Sequence, residues 1–449
     1  MYLLYLKRVR LQNIKVYKDI EINFTRENGD IRNWTCFLGK NGLGKSILLQ
    51  CIALALAGDA AIREAMPYPR SWIRNTDNEN EQNVGIIEVE IISTDEDFPR
   101  IDRPLNLRYF VFGEKGGEVG KTYSSGPGIL SDYDNENNKT FNKDITTERN
   151  IGYLVCAYGP FRRLPREGER TEGISFKNPR ASRLTTFFQE GTPVSDLEEW
   201  VVNLEYQSLK YDNVRDKELL NSALLVMEKI LPDAKFSRIE NRKVMFNTPY
   251  GEVPITELSD GYRSVAAWSA NLIMHMFKAF RDLRDPLKGS GVVIVDEIDV
   301  HLHPGAQRKV INRLKEIFPN IQFIISSHSP FVAQSLEGDE IFTLKQIERE
   351  TVARQLDISF RGWRADQVLT SDVFGLNSSR DEKTEQDLKR YEELVSRVAN
   401  KNTSAEIDNE LKNLRLRLNE VLPEPGETQE IRNYQEKLRK ILDRLERHT

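Results

Sequence analysis

Residues Gly39 to Ser46 read GKNGLGKS, and no other stretch limits so strongly what the chain can fold into. The spacing is G-x-x-x-x-G-K-[ST]. Gly39, Gly42 and Gly44, with Asn41 between them, let backbone N–H groups converge on a phosphate chain. Lys45 brings a mobile positive charge to its far end, and the Ser46 hydroxyl suits Mg²⁺. Residues Trp34 to Leu38 before it read as a short buried strand. Ile47 to Ala57 after it have high helix propensity until Gly58 and Asp59, so the loop opens onto a helix N-terminus, a natural anion site. Strand, glycine loop and helix in succession call for a layered α/β core rather than an all-helical or all-strand one.

Length and composition set the outer limits. At 449 residues the chain exceeds one ordinary core, and about 150 residues per domain gives two or three units, or one large domain with insertions. Hydrophobic content of 39% and charged content of 30% describe a globular chain. No apolar run approaches the ~20 residues of a membrane span, and charge interrupts MYLLYLKRVR too early for a signal peptide, so the expectation is a cytoplasmic protein without a membrane partner. Cys36, Cys51 and Cys156 lie scattered in apolar contexts and read as core residues, not as a disulfide or zinc framework. The net charge of -5 gives no global attraction to nucleic acid, so any such contact needs a local patch.

In chain order, Leu3 to Asn13 and Ile20 to Phe24 read as an antiparallel strand pair. Lys15 and Tyr17 between them either flank a nucleotide base or are solvated loop residues. From 59 to 150 the pattern loosens into an insertion: strand-like Val84 to Ile92 and Asn106 to Phe112 are set among apparent mobile loops, Gly113 to Gly128 and Asp132 to Asn142. Ile151 to Tyr158 reads as a core strand ending in Gly159 and Pro160. Arg162, Arg163 and Arg166 beyond it either reach phosphate or form a solvated basic loop. Apolar residues at helical spacing from Leu184 to Lys210 and from Asp216 to Ile230 predict a helical subdomain over 184–232. A hairpin follows, built from Val244 to Phe246 and Val253 to Ile255.

The second half of the site begins at Ser259 to Ser264, SDGYRS, ahead of a long helix from Val265 to Arg281. Ser259 and Gly261 offer a hydroxyl and backbone N–H groups to an anion. Residues Gly291 to Glu297, GVVIVDE, are a run of β-branched residues closed by two acids. Such a run predicts a strand buried on both faces, with its acids where open α/β sheets place ligands. Asp296 is suited to hold Mg²⁺ beside Ser46, and Glu297 to polarise an attacking water. Ile321 to Pro330 predicts another buried strand ending at His328, in line to reach a γ-phosphate or to orient water. His301 and His303 invite a metal reading, but no further Cys or His lies near them, which favours a structural or subunit-contact role.

GKNGLGKS, ELSDGYRS, VVIVDE, IDVHLHP and SSHSP occur in the order of an ABC-type ATPase. The chain resembles the RecF, SMC and OLD branch of that superfamily. The resemblance implies a P-loop ATPase head, a mixed sheet flanked by helices, over 1–58 and 151–345, with a C-terminal helical tail over 346–449. It also implies ATP and Mg²⁺ as ligands, Lys45 and Ser46 on phosphate and metal, Asp296 as the Walker B acid, Glu297 as general base, Asp299 in the D-loop and His328 as the switch histidine. Ser259 and Gly261 resemble signature residues, which in this superfamily reach the nucleotide of a second subunit, so ATP-dependent head-to-head pairing is expected. Asp260, Tyr262 and Arg263 depart from the transporter signature LSGGQ, and Tyr158-Gly159 stands where a Q-loop glutamine is expected.

About 95 residues separate Arg163 from Leu258, and even as paired helices they reach only ~70 Å, which excludes long SMC arms. In the charged tail, Leu388, Tyr391, Leu394, Val395 and Val398 form one apolar stripe, and Tyr434, Leu438, Ile441 and Leu445 another. Such helices pack as a hairpin or on a partner. The tail has neither the acid-rich strand ends of an OLD nuclease nor a His-Asn-His constellation, since His448 is its only histidine. An ATPase head with a partner-binding tail resembles the Septu-type ATPases of antiphage defence, also carried by some retrons, whose partner is a separately encoded HNH nuclease. Nucleic acid then enters through that partner. The alternatives are a RecF-like DNA-binding ATPase of repair and an ATP-gated scaffold with little turnover.

Overall fold

The computed structural model describes residues 4–66, 72–74, 84–93, 104–145, 154–163, 178–189, 194, 197–212, 214–231, 234–280, 283–376, 378–399 and 404–422. The chain divides into two compact units, Met1–Val368 and Leu369–Thr449.

The centre of the first unit is a six-stranded sheet in the order Glu350–Gln355, Ile341–Ile347, Trp34–Leu38, Ile321–Ser326, Gly291–Val295, Leu154–Tyr158. Its last five strands are parallel, and only the Glu350–Gln355 edge runs antiparallel. Every residue of Trp34–Leu38, Leu154–Tyr158, Gly291–Val295 and Ile321–Ser326 is buried. That is why these strands are continuous apolar runs and not alternating ones. Because the inner strands are parallel, their C-terminal ends meet along one edge, bringing together Gly39, Gly159, Asp296 and Ser327.

A second, antiparallel sheet has the order Tyr17–Asn23, Leu4–Ile14, Val84–Ser93, Leu105–Phe112, Gly128–Ser131. Its strands alternate in burial, as a sheet with one covered face must. The helix Lys45–Ala57 packs against both sheets and is buried on all sides from Leu48 onward except at Gln50. This accounts for a helix without a polar face. The buried Gln322 side chain accepts from Leu6 N–H at 2.8 Å and donates to Leu6 O at 2.9 Å, tying the sheets where a bulge interrupts the Leu4–Ile14 pairing.

The stretch 59–150, read from sequence as an insertion, therefore supplies three of the five strands in this sheet. Its Gly113–Gly128 segment holds a small hairpin, Gly117–Val119 with Thr122–Ser124. Asp132–Asn142 holds the helix Glu136–Thr140 and the fully buried Phe141; buried Asn138 hydrogen-bonds both backbone groups of Arg108. Their polar composition reflects side chains that serve backbone groups, a use that resembles loop sequence.

Within 184–232, helices Leu197–Lys210 and Val214–Ile230 pack on each other, and Trp200 meets Phe277 of the long helix Asp260–Ala279 at 5.8 Å. The strand Lys235–Glu240, which the sequence reading passed over, joins Lys243–Thr248 and Gly251–Pro254 in a three-stranded sheet. In the second unit, helices Glu382–Ala399 and Ala405–Val421 pair. Arg390 reaches Glu410 with two hydrogen bonds of 2.8 and 3.1 Å. Leu394 is buried while Val395 is exposed, so Val395 leaves the expected stripe. The stripe from Tyr434 to Leu445 lies outside the described residues, as do Arg166 and His448.

Candidate functional site

The loop between Trp34–Leu38 and Lys45–Ala57 has the backbone that its glycines permit. Gly42 and Gly44 take φ of 82° and 88°, where a Cβ is strained. Gly44 has a second reason to be glycine: a Cβ there would lie 2.5 Å from Val16 and 2.8 Å from the Tyr17 hydroxyl. Tyr17 is fully buried and donates to the Leu43 carbonyl at 3.3 Å. It props the loop from beneath and does not flank a base, as one reading of the sequence had it. Lys45 folds back, with its ammonium donating to the Gly39 carbonyl at 2.7 Å and the Lys40 carbonyl at 3.0 Å. The helix start has no side-chain cap and no acid in its first turn. Asn41, Gly42 and Ser46 are exposed to solvent.

Beside the loop, Gly291–Val295 delivers the acid pair. Asp296 is 2% exposed, and the Ser326 hydroxyl donates to its carboxylate. The same Ser326 oxygen accepts from Glu297 N–H at 2.7 Å, so one serine of the adjacent strand holds both acids. Glu297 turns with φ of 48°, a sparsely populated conformation, and is half-buried. Burial, then Asp296 and Asp299, push its carboxyl above the usual range, with Lys45 and Arg162 opposing. Burial lowers the Lys45 ammonium, and Asp296 and Glu297 oppose that, so these groups share one electrostatic site.

Arg162 settles the open reading of the basic loop. Its guanidinium, 2% exposed, donates to Gly159 O at 2.8 Å, Asp296 O at 2.7 Å and Glu297 O at 2.9 Å. Burial pulls its pKa down to about 10, with Asp296, Asp299 and Glu297 opposing. It clamps the backbone of the acid pair and is neither a phosphate ligand nor a solvated charge. Sequence reasoning missed it because its partners are carbonyls, which leave no residue signature. Ser326 and Gln307 were missed likewise. Gln307 donates to Asp299 O at 3.3 Å and Leu302 O at 2.8 Å and accepts from the Ser329 hydroxyl at 2.6 Å, joining the turn after the acids to the turn after Ile321–Ser326.

His328 is exposed at that second turn, its backbone N–H 3.4 Å from the Asp299 carboxylate; partial desolvation and then Lys45 hold its pKa down. Ser259 precedes the helix Asp260–Ala279 without capping it through its side chain. A Cβ on Gly261 would lie 2.2 Å from His301 O, so glycine lets this helix start press on the turn that follows the acids. His303 accepts from Gly305 N–H at 3.2 Å as the N-cap of Pro304–Ile317. His301 takes φ of 64°. Cys36, Cys51 and Cys156 are free and buried.

A phosphate loop, a neighbouring acid pair at parallel strand ends and an open helix start lie together on a mixed α/β head. The model of the family described as "AAA domain, putative AbiEii toxin, Type IV TA system" matches residues 35–333, and the chain belongs to that family. The chain resembles ATPases of the RecF/SMC/OLD branch, PtuA among them. Septu protein PtuA of Bacillus mycoides is 27% identical over 83% of this chain, which spans only 45% of that relative's length. The retron Vc95 probable ATPase of Vibrio cholerae is 23% identical over 83% of this chain and 78% of its own. Among solved structures, an Smc head bound to the C-winged helix domain of ScpA overlaps 78% of this chain and 97% of its own, at 16% identity and a TM-score of 0.48.

Proposed function

We propose that the chain binds and hydrolyses Mg-ATP at the 39–46 loop, that two copies close head to head around it, and that this closure controls a separately encoded nuclease of HNH type in cytoplasmic antiphage defence. The observation that carries the reading is the joint hold on the acid pair: Ser326 and Arg162 fix Asp296 and Glu297 beside Lys45. The glycine cradle with its uncapped helix start, and the hydroxyl and buried carboxylate of Ser46 and Asp296, fit a nucleotide with its metal. Mg²⁺ there would neutralise charge on the phosphates. Lys45 leaves the Gly39 and Lys40 carbonyls for the terminal phosphate. Glu297, its carboxylate made more basic by burial and by Asp296, accepts the proton of the attacking water. His328 orients the terminal phosphate. Ser259 and Gly261 of one copy complete the site of the other.

The names of the Septu and retron relatives support the defence role. The paired helices of the second unit are the surface we assign to the nuclease. The test is co-expression with the nuclease encoded beside it, followed by size-resolved co-purification and DNA cleavage with and without ATP. The proposal expects a joint complex in which ATP changes cleavage and Lys45→Ala abolishes the ATP response. A chain that stays alone and cuts DNA itself would overturn it. A RecF-like repair ATPase would instead bind DNA with an affinity that ATP raises and would join no nuclease.

A further inference from the structure

A polar cavity lies in the first unit, between the helix Pro304–Ile317, residues 331–335 and residues 361–363. It measures about 350 Å³ and is lined by Arg308, Asn312, Phe331, Gln334, Ser335, Arg361, Gly362 and Trp363. That volume is at the lower end of small-molecule sites. Trp363 is held in place: its N–H donates to Phe360 O at 3.1 Å, its carbonyl accepts from the Gln334 amide at 2.6 Å, and its indole meets buried Phe360 edge-on at 5.3 Å. Trp363 as a residue nonetheless stays 39% exposed. The Arg308 guanidinium lies 4.8 Å above the Phe331 ring. Arg361 contacts Glu337 at 2.7 Å, but those side chains are 69% and 46% exposed. Such a pair contributes little, and a phosphate competes for the guanidinium with more charge and more acceptors.

We propose that this cavity is a second ligand site, for a phosphorylated nucleobase unit: a planar base stacked on Trp363, with its phosphate between Arg308 and Arg361 and amide donors from Asn312 or Gln334 at the base edge. An aromatic plane beside guanidinium groups is the physical recipe for binding one nucleotide of a single strand, because every base offers a π-face and every linkage a phosphate. The chemistry is shared by a single-stranded nucleic acid and a free nucleotide. The proposal stands independently of ATP hydrolysis at the phosphate loop.

The test uses the full chain carrying Lys45→Ala, so that the loop contributes nothing, and fluorescence anisotropy of a labelled, 5′-phosphorylated twelve-residue oligothymidylate. Competition with unlabelled thymidine monophosphate distinguishes the sources: competition at similar concentration marks a free nucleotide, and its failure marks a strand. Trp363→Ala and Arg308→Ala should each weaken binding about tenfold or more, while Trp363→Phe keeps most of the affinity by preserving stacking. Lys309→Ala, on the same helix but outside the cavity, should leave it unchanged. Absence of wild-type binding, equal loss in Lys309→Ala, or full affinity in a Trp363→Ala chain that melts at the wild-type temperature overturns the assignment.

Discussion

Replacing Arg162 with methionine, which keeps an unbranched apolar stem and removes the donors, tests how the acid pair is held. The guanidinium serves three carbonyls, those of Gly159, Asp296 and Glu297. Glu297 O keeps the Val300 N–H at 3.1 Å, and each of the other two buried carbonyls left unpaired costs about 1–3 kcal/mol. Relief from burying a charge, visible in the fall of the arginine pKa to about 10, offsets part of this. The net loss should be about 3 kcal/mol, a fall in Tm of roughly 5 °C for a unit this large, since the shift per kcal/mol shrinks with size. The effect on hydrolysis should be larger than the effect on binding. Freed carbonyls let Glu297 relax from its φ of 48°, and displacement of a catalytic group by ~1 Å lowers turnover about a hundredfold. Thermal melting, ATP affinity by calorimetry and phosphate release together decide it. We expect lower Tm and kcat with ATP affinity within a few-fold of wild type, and Arg162→Lys intermediate. Wild-type melting and turnover in Arg162→Met would refute the clamp.

Three further outcomes follow from the same geometry. Gly44→Ala should abolish ATP binding in calorimetry while the chain stays folded by circular dichroism, because the new Cβ is strained by φ of 88° and meets Val16 and Tyr17. Ser326→Ala should lower kcat by about 10–100-fold, since one hydroxyl releases both acids, and leave ATP affinity nearly unchanged. In pH dependence, Glu297 works only when deprotonated, and its pKa is raised, so kcat should fall on acidification at a pH above that of an ordinary glutamate. A group with raised folded pKa also opposes folding once it ionises, so Glu297→Gln should raise Tm at neutral pH and not at acid pH.

What the sequence discloses follows from where each residue's partners are. The phosphate loop and the strands Gly291–Val295 and Ile321–Ser326 are legible because their demands are local: glycine for left-handed backbone, β-branched runs for strands covered on both faces. The five-stranded sheet was not, because Leu4–Ile14 pairs with Val84–Ser93 about seventy residues away and register leaves no mark in either strand alone. Tyr17 and Arg162 sit in polar surroundings in the sequence and in the core of the structure, since each is satisfied by a backbone carbonyl. Gly261 was legible as a glycine near a helix start, but its reason, the carbonyl of His301, exists only in three dimensions.

The central claim is that Glu297 activates water at a site built on the 39–46 loop. Its most direct measurement is phosphate release from Mg-ATP by wild type and Glu297→Gln, with ATP occupancy of each chain measured alongside. The account predicts that Glu297→Gln fills with ATP as readily as wild type and turns it over at least about a hundredfold more slowly. Wild-type turnover by Glu297→Gln would contradict it.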